Sequence, residues 1–302
     1  MKRQGVITSH YGVAVDVRFA NGEVKMVRVK RNSGHVVGDA VEVEDEILSR
    51  LPRRTEIRRM DARNSLHTVG ANLDLLCIVA TCEPLPPPGF IARAIVAARS
   101  AELTPVLLLN KSDLSCFAEY AALCRKNYSG SLPIFELCAE RHDGLETFAA
   151  YLNANHRGIF VGPTGVGKSS ILNGLVPDID LATGEISESR KRGRHTTTVS
   201  TLHTLPGGGE LIDSPGFNDF GLVDIGVDAL ALFFPGFETA LETPCRFRDC
   251  RHREEPGCSI HEARAAGTVG EERYSMYLQL LAEVEGAEAN SHWRERRKRR
   301  KK

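Results

Sequence analysis

The stretch GPTGVGKSS, running Gly162-Pro163-Thr164-Gly165-Val166-Gly167-Lys168-Ser169-Ser170, decides how the rest of the chain is read. It has the spacing G-x-x-x-x-G-K-[ST]. Its flanks are those the spacing requires, a strand-like RGIFV at 157–161 and a helical SSILNGLV at 169–176. Glycines let the backbone wrap a β-phosphate with its N–H groups, and the positive end of the following helix adds to the attraction. In such a loop Lys168 neutralises β/γ oxygens and Ser169 coordinates magnesium. A plain glycine-rich turn is the alternative, and the flanks speak against it.

Three further stretches complete a nucleotide site. Asp213-Ser214-Pro215-Gly216 follows the strand-like GGGELI and offers a carboxylate for the water shell of magnesium and, at Gly216, an amide for a γ-phosphate. Asn110-Lys111-Ser112-Asp113 follows the apolar TPVLLL. Asp113 can accept two hydrogen bonds from the ring N–H and exocyclic amine of guanine, a donor pair that adenine lacks, so one carboxylate discriminates between the bases. Asn110 is read as contacting the base and bracing neighbouring loops, with the stem of Lys111 lying over the ring. Leu137-Cys138-Ala139 follows LPIFEL, where guanine-binding proteins commonly carry Ser-Ala. There the Ala139 N–H is expected to reach the guanine carbonyl, and Cys138 replaces serine.

The base-reading loop precedes the phosphate loop in the chain, the reverse of the usual GTPase. Loops at the carboxyl ends of strands in one parallel sheet meet in space whatever their order, so a circular permutation preserves the pocket.

Composition agrees with a soluble α/β protein. The 302 residues are 42% hydrophobic and 26% charged, with 39 basic and 39 acidic side chains, so net charge excludes nothing about an anionic partner and only local clusters can inform. Neither a signal-peptide core nor a long uncharged apolar run is present, which makes a cytoplasmic location and no membrane contact the expectation. Residues 1–62 show short period-two runs around Asn21-Gly22, a hairpin signal, and read as a small β-barrel. Residues 63–224 alternate continuous apolar strands with helices, the pattern of a doubly wound domain. Residues 225–302 turn polar around cysteines, resume a helical period at Glu271–Glu285, and finish in the basic WRERRKRRKK.

Taken together, an N-terminal barrel, NKSD, GPTGVGKSS, GRHTTT, DSPG and a cysteine/histidine knuckle resemble the RsgA family, circularly permuted GTPases that depend on the small ribosomal subunit. The resemblance implies an OB-type barrel, GTP and GDP as substrate and product, magnesium, and a late role in small-subunit assembly, with hydrolysis releasing the factor; a monomer is expected.

Catalysis is the least legible part. GTPases often place the attacking water with a glutamine after D-x-x-G; here that residue is Phe217, so slow turnover alone and stimulation by the subunit are expected. The segment SRKRGRHTTTVS reads as the first switch, with one of Thr196, Thr197 or Thr198 closing on magnesium; Lys168, Thr197 and Gly216 are the candidate catalytic residues. No histidine stands in Leu222-Val223-Asp224, where some relatives carry one. Loss of γ-phosphate at Gly216 is expected to bias the docking of the C-terminal module.

In CRFRDCRHREEPGC, Cys245, Cys250, His252 and Cys258 suit a closed Cys₃His zinc shell, a structural site, with His261 as the lesser alternative. The other cysteines, Cys77, Cys82, Cys116 and Cys124, are read as packing. RNA contact is expected at Lys30-Arg31, Arg53-Arg54, Arg58-Arg59, Arg63 and the tail from Trp293, which reads as disordered alone. Two other functions fit the same motifs: a GTP-stabilised RNA-binding module without hydrolysis, and a small-molecule phosphotransferase.

Overall fold

The computed structural model of the protein describes residues 2–60, 65–154, 156–176, 199–214, 217, 222–223 and 225–299. Alternation at the N-terminus produces five antiparallel strands: β1 (Arg3–His10), β2 (Ala14–Phe19), β3 (Val24–Arg28), β4 (Ala40–Glu44) and β5 (Ile47–Arg50), ordered β3-β2-β1-β4-β5. Asn21-Gly22 makes the β2–β3 turn, with Gly22 at φ 83° donating its N–H to Phe19 O. One face of these strands puts Ile7, Val15, Val17, Phe19, Val27, Val41 and Val43 into a small separate core. Val24 and Met26, on the opposite face of β3, stay exposed. The arrangement is OB-like. A hairpin of β6 (Glu56–Met60) and β7 (Leu66–Ala71) follows, spanning the boundary drawn at 62/63, and its Ile57 and Val69 pack into the α/β core.

The α/β part contains β8 (Leu75–Ala80), α1 (Phe90–Ser100), β9 (Thr104–Leu109), α2 (Phe117–Tyr128), β10 (Ile134–Glu136), α3 (Leu145–Leu152), β11 (Arg157–Val161), α4 (Lys168–Leu175), β12 (Ser200–Thr204) and β13 (Glu210–Asp213). Its strand order is β10-β9-β8-β11-β13-β12, parallel except for the antiparallel β12. Every residue of β8 is buried because helices cover both faces, which is why LLCIVA reads as an unbroken apolar run. Each Leu, Ile or Val side chain of the run removed from water contributes on the order of 1.5–3 kcal/mol. From β8 the chain runs outward to β9 and β10, then returns to the other side of β8 as β11 and β13. The crevice at the β8/β11 junction is therefore the switch point of the sheet.

β1 joins the two sheets into one. Its residues 3–6 pair with β4, while Ser9 and His10 pair with Thr201 and Ser200 of β12. Arg157 reinforces this seam, its Nε donating to Glu210 Oε2 at 2.7 Å and its Nη1 to Gly38 O at 3.1 Å.

The C-terminal module holds α5 (Leu230–Phe233), α6 (Glu238–Leu241), α7 (Ser259–Ala265) and the long α8 (Glu271–Arg299). Helix α1 is apolar on two sides. Ile91, Ala94, Ile95 and Ala98 enter the α/β core, whereas Ala92 and Val96 pack with Phe234, Phe237, Tyr277 and Leu281 of the module. Arg99 fastens the junction by donating to Ser131 O at 2.9 Å, Phe233 O at 3.1 Å and Glu238 Oε1 at 2.7 Å. Helix α8 runs through the basic segment to Arg299, where the sequence had suggested a disordered tail. Among the described residues no helix is long and apolar enough to cross a membrane.

Candidate guanine-nucleotide site and cysteine cluster

Five loops open at the carboxyl edge of the parallel strands, after Ala80, Leu109, Glu136, Val161 and Asp213. Among them are the stretches singled out in the sequence as base-reading, phosphate-holding and magnesium-holding. In the phosphate loop, Gly167 adopts φ 95° and caps α4, and a Cβ there would lie 2.2 Å from Asn110 Nδ2. At Gly162 a Cβ would lie 2.5 Å from Val79 O, so the loop can lie this close to β8 only with glycine. Val166 is buried beneath the loop, while Thr164 and Gly165 are exposed; Pro163, Ser169 and Ser170 are half-buried.

Lys168 Nζ donates to two carbonyls of its own loop, Gly162 O at 2.6 Å and Pro163 O at 2.9 Å. Burial lowers its pKa to about 8, although the charge of Asp213 acts the other way. Burial in turn raises the pKa of Asp213, with Lys168 opposing that shift. A half-buried cation and a half-buried acid thus act on each other's charge at the phosphate end. Ser214 Oγ and Ser200 Oγ lie 3.1 Å apart, tying the end of β13 to the start of β12. Gly216, Pro215 and the switch threonines Thr196, Thr197 and Thr198 lie outside the described residues. Phe217 is buried in the main core.

At the base end Asn110 is buried and satisfied by neighbouring loops. Its Nδ2 donates to Val166 O at 2.9 Å and its Oδ1 accepts from Ala139 N at 3.1 Å. One side chain therefore links the base-reading, phosphate and Cys138-Ala139 loops. The bracing expected of Asn110 is present, but the Ala139 amide expected for the guanine carbonyl is spent within that brace. Ser112 N donates to Leu137 O at 3.0 Å, holding the same loops together. Lys111 sits at φ 63° and its Nζ donates to Glu83 O at 2.9 Å. Asp113 is exposed, and Cys138 Sγ donates to its Oδ1 at 3.1 Å. That hydrogen bond, with help from its own backbone, holds the Asp113 carboxyl below the usual carboxylate range. Cys138, where serine was expected, therefore reaches the carboxylate of Asp113.

Cys82 and Cys116 depart from the packing expectation: they are disulfide-bonded, beside the base end. Cys77 and Cys124 are buried, as expected. Nothing local in the sequence marks the pair, 34 residues apart. It becomes visible only once β8 and β9 are known to be neighbours.

In the C-terminal module, one ligand atom from each of Cys245, Cys250, His252 and Cys258 lies within 4.8 Å of the others. His252 Nδ1 is 3.5, 3.6 and 3.3 Å from the sulfurs of Cys245, Cys250 and Cys258. Edges of about 3.5–3.8 Å are what a tetrahedron with zinc bonds near 2.0–2.3 Å demands. The set fits zinc. His261 instead faces Tyr274 and Arg264, away from this role.

The basic residues proposed for RNA divide. Arg53 forms a two-pronged pair with the fully buried Asp39, at 2.6 and 2.9 Å, and a further bond to Glu56, so it fastens the barrel to the hairpin. Arg54 pairs with Asp74 at 2.6 Å and Arg58 with Glu56 at 3.1 Å. Lys30 and Arg31 are exposed. Arg63 lies outside the described residues.

The sheet order and its loops define the class, a circularly permuted P-loop GTPase. The fold is similar to the crystal structure of YjeQ from Thermotoga maritima, with TM-score 0.76 and 28% identity over 95% of this chain and 99% of that one. It also matches the fold of YloQ, a circularly permuted GTPase, with TM-score 0.70 and 21% identity over 95% and 96%. The model of the RsgA GTPase family matches residues 50–223. The small ribosomal subunit biogenesis GTPase RsgA of Pseudomonas savastanoi pv. phaseolicola is 38% identical over 298 residues, covering 94% of this chain and 86% of that protein. The protein of the same name from Chromohalobacter salexigens is 36% identical over 293 residues, covering 93% and 86%. The chain belongs to the RsgA GTPase family. It is accordingly a GTP hydrolase, with GTP and GDP as substrate and product and magnesium as the accompanying ion.

Proposed function

We propose that this protein is an assembly factor in late maturation of the small ribosomal subunit, binding its RNA and leaving when GTP is hydrolysed. The observation that carries the reading is similarity over 94% of the chain to proteins named small ribosomal subunit biogenesis GTPases. Three units divide the work: residues 1–62 and the basic end of 225–302 contact RNA, and 63–224 bind and hydrolyse GTP. The chain acts as a monomer in the cytoplasm. The Cys₃His cluster holds one structural zinc, standing in for a core that a short polar segment cannot build.

In the nucleotide site, Asp113 accepts the two guanine donors, Asn110 holds the loops in register, and Lys111 covers the ring. Cys138 supports Asp113. The amides of Gly162–Ser170 surround the phosphates. Lys168 leaves its own carbonyls for the β/γ oxygens, where its charge acts in a partly desolvated place. Magnesium, held by Ser169 with Asp213 behind it, neutralises charge on the phosphates. Thr197 and Gly216 complete the γ-phosphate end. Phe217 cannot orient water by hydrogen bonding, so turnover is slow until the small subunit supplies or positions the missing group.

GTP turnover with and without purified small subunits tests this. Strong stimulation is expected. Turnover unaffected by subunits would contradict the proposal, and dependence on an added metabolite would instead favour a phosphotransferase.

A further inference from the structure

Two cysteines that neither the phosphate chemistry nor the zinc cluster uses meet at the base end of the crevice. Cys82 follows β8 and Cys116 follows the Asn110–Asp113 loop; their Cα atoms are 6.0 Å apart and their sulfurs are bonded. The loop carrying Cys82 touches the other nucleotide loops. Its Glu83 O receives the Lys111 Nζ hydrogen bond at 2.9 Å, and its Pro84 lies against the phosphate loop, 3.6 Å from where a Cβ on Gly165 would stand. On the other side, Cys116 caps α2 just beyond Asp113. The bond therefore fixes the span between the base-reading carboxylate and the loop that leans on the phosphate turn.

Access distinguishes this pair from the other cysteines of the α/β domain. Cys116 is exposed and Cys82 half-buried, whereas Cys77, Cys124 and Cys138 are buried. Thiol exchange needs a reachable sulfur.

We propose that Cys82 and Cys116 are a reversible thiol–disulfide latch on the guanine pocket, closed by low-molecular-weight disulfides, opened by dithiols, and holding guanine nucleotide more tightly when closed. The proposal rests on the guanine-nucleotide reading of the Asn110–Asp113 loop. In closure the Cys116 thiolate attacks one sulfur of a small disulfide RSSR and expels RS⁻. The Cys82 thiolate then attacks Cys116 in the mixed disulfide and expels the second RS⁻. One RSSR is reduced to two RSH, two cysteine thiols are oxidised to one disulfide, and their two protons end on the released thiolates. A dithiol reverses both displacements.

With the latch open, the Cys82 loop keeps the Lys111 bond and its contact with Gly165 but loses its covalent tie. Ordering that loop then falls to the nucleotide and weakens its binding. Linkage requires the reverse effect to be equal: whatever the disulfide adds to nucleotide affinity, nucleotide adds to disulfide formation.

The test uses the full-length, zinc-loaded protein and a fluorescent GDP analogue. Affinity and release are measured after oxidised glutathione and after dithiothreitol, with the bond verified by mass spectrometry. Binding about fivefold or more weaker in the reduced state is expected, within the usual range of coupling between linked sites. GDP should raise, by the same factor, the resistance of the bond to dithiothreitol. Cys116→Ser and Cys82→Ser should each bind like the reduced protein under both conditions. Equal binding in the two states of the unsubstituted protein would overturn the latch while leaving the pocket intact. A redox response persisting in both variants would also overturn it, by locating the effect at the zinc cysteines. Failure to retain the analogue in either state would remove the guanine pocket and the latch with it.

Discussion

At its base end the crevice is held by internal bonds. Asn110 spans three loops, Ser112 and Lys111 add two more ties, and Cys82–Cys116 closes the corner covalently. At the phosphate end the principal groups are charged and desolvated: Lys168, its pKa lowered to about 8, bonds to carbonyls of its own loop, and Asp213 is raised by burial. The base end is thus shaped before any ligand arrives, whereas the phosphate end has charges whose best partners belong to the ligand. On the proposed reading, shape recognition belongs to the first region and electrostatic stabilisation to the second. Substitutions at the two ends should therefore fail in different ways.

The largest expected effect is at the phosphate end. Lys168→Ala should lower GTP turnover by about 10²–10³-fold, the range seen when one charge-stabilising donor is removed, while the protein keeps its melting temperature; single-turnover kinetics with calorimetry checks both. Asp113→Ala should remove guanine preference by about 10²-fold or more, since one carboxylate supplies the discrimination, and competition of GDP against ADP reads it. If Asp113→Ala left selectivity unchanged, the base end would not be the reader.

Asn110→Ala tests the bracing directly. It leaves Val166 O and Ala139 N without their partner, at a cost to folding of about 1–3 kcal/mol, so a lower denaturation midpoint should accompany weaker nucleotide binding. An unchanged midpoint would show that the loops hold their places without it. The smallest effect is one of pH. In the free protein Lys168 is protonated below about 8 and neutral above it. Bound phosphate favours the protonated form, so binding takes up a proton above that value. Affinity should be flat from pH 6.5 to 7.5 and fall above 8, toward about tenfold per pH unit; isothermal titration across this range gives the sign.

The sequence disclosed those parts of the fold that local pattern controls. LLCIVA, LLL and RGIFV are unbroken because both faces of their strands are covered, and Asn21-Gly22 turns because glycine reaches positive φ there. The proposed phosphate and base-reading loops were legible as motifs, and both open at the carboxyl edge of the sheet. His252 was favoured over His261 on spacing and resemblance, and the cluster agrees. What stayed hidden depends on contacts between distant segments. Cys82 and Cys116 look like two solitary packing residues until β8 and β9 are set side by side. Arg53 looks like an RNA contact until the fully buried Asp39 is found beneath it. Ala139 offers a free amide in the sequence and a spent one in the fold, because Asn110 arrives from another strand. The β1–β12 pairing, which makes barrel and GTPase one sheet, is equally silent in local pattern.

The central claim is that loops distant in the chain converge on a single guanine nucleotide. Equilibrium titration of the purified protein with fluorescent GDP, followed by displacement with unlabelled GDP and ADP, tests it most directly. Saturable retention that GDP reverses and ADP does not is the predicted result; no retention, or equal displacement by ADP, would contradict it.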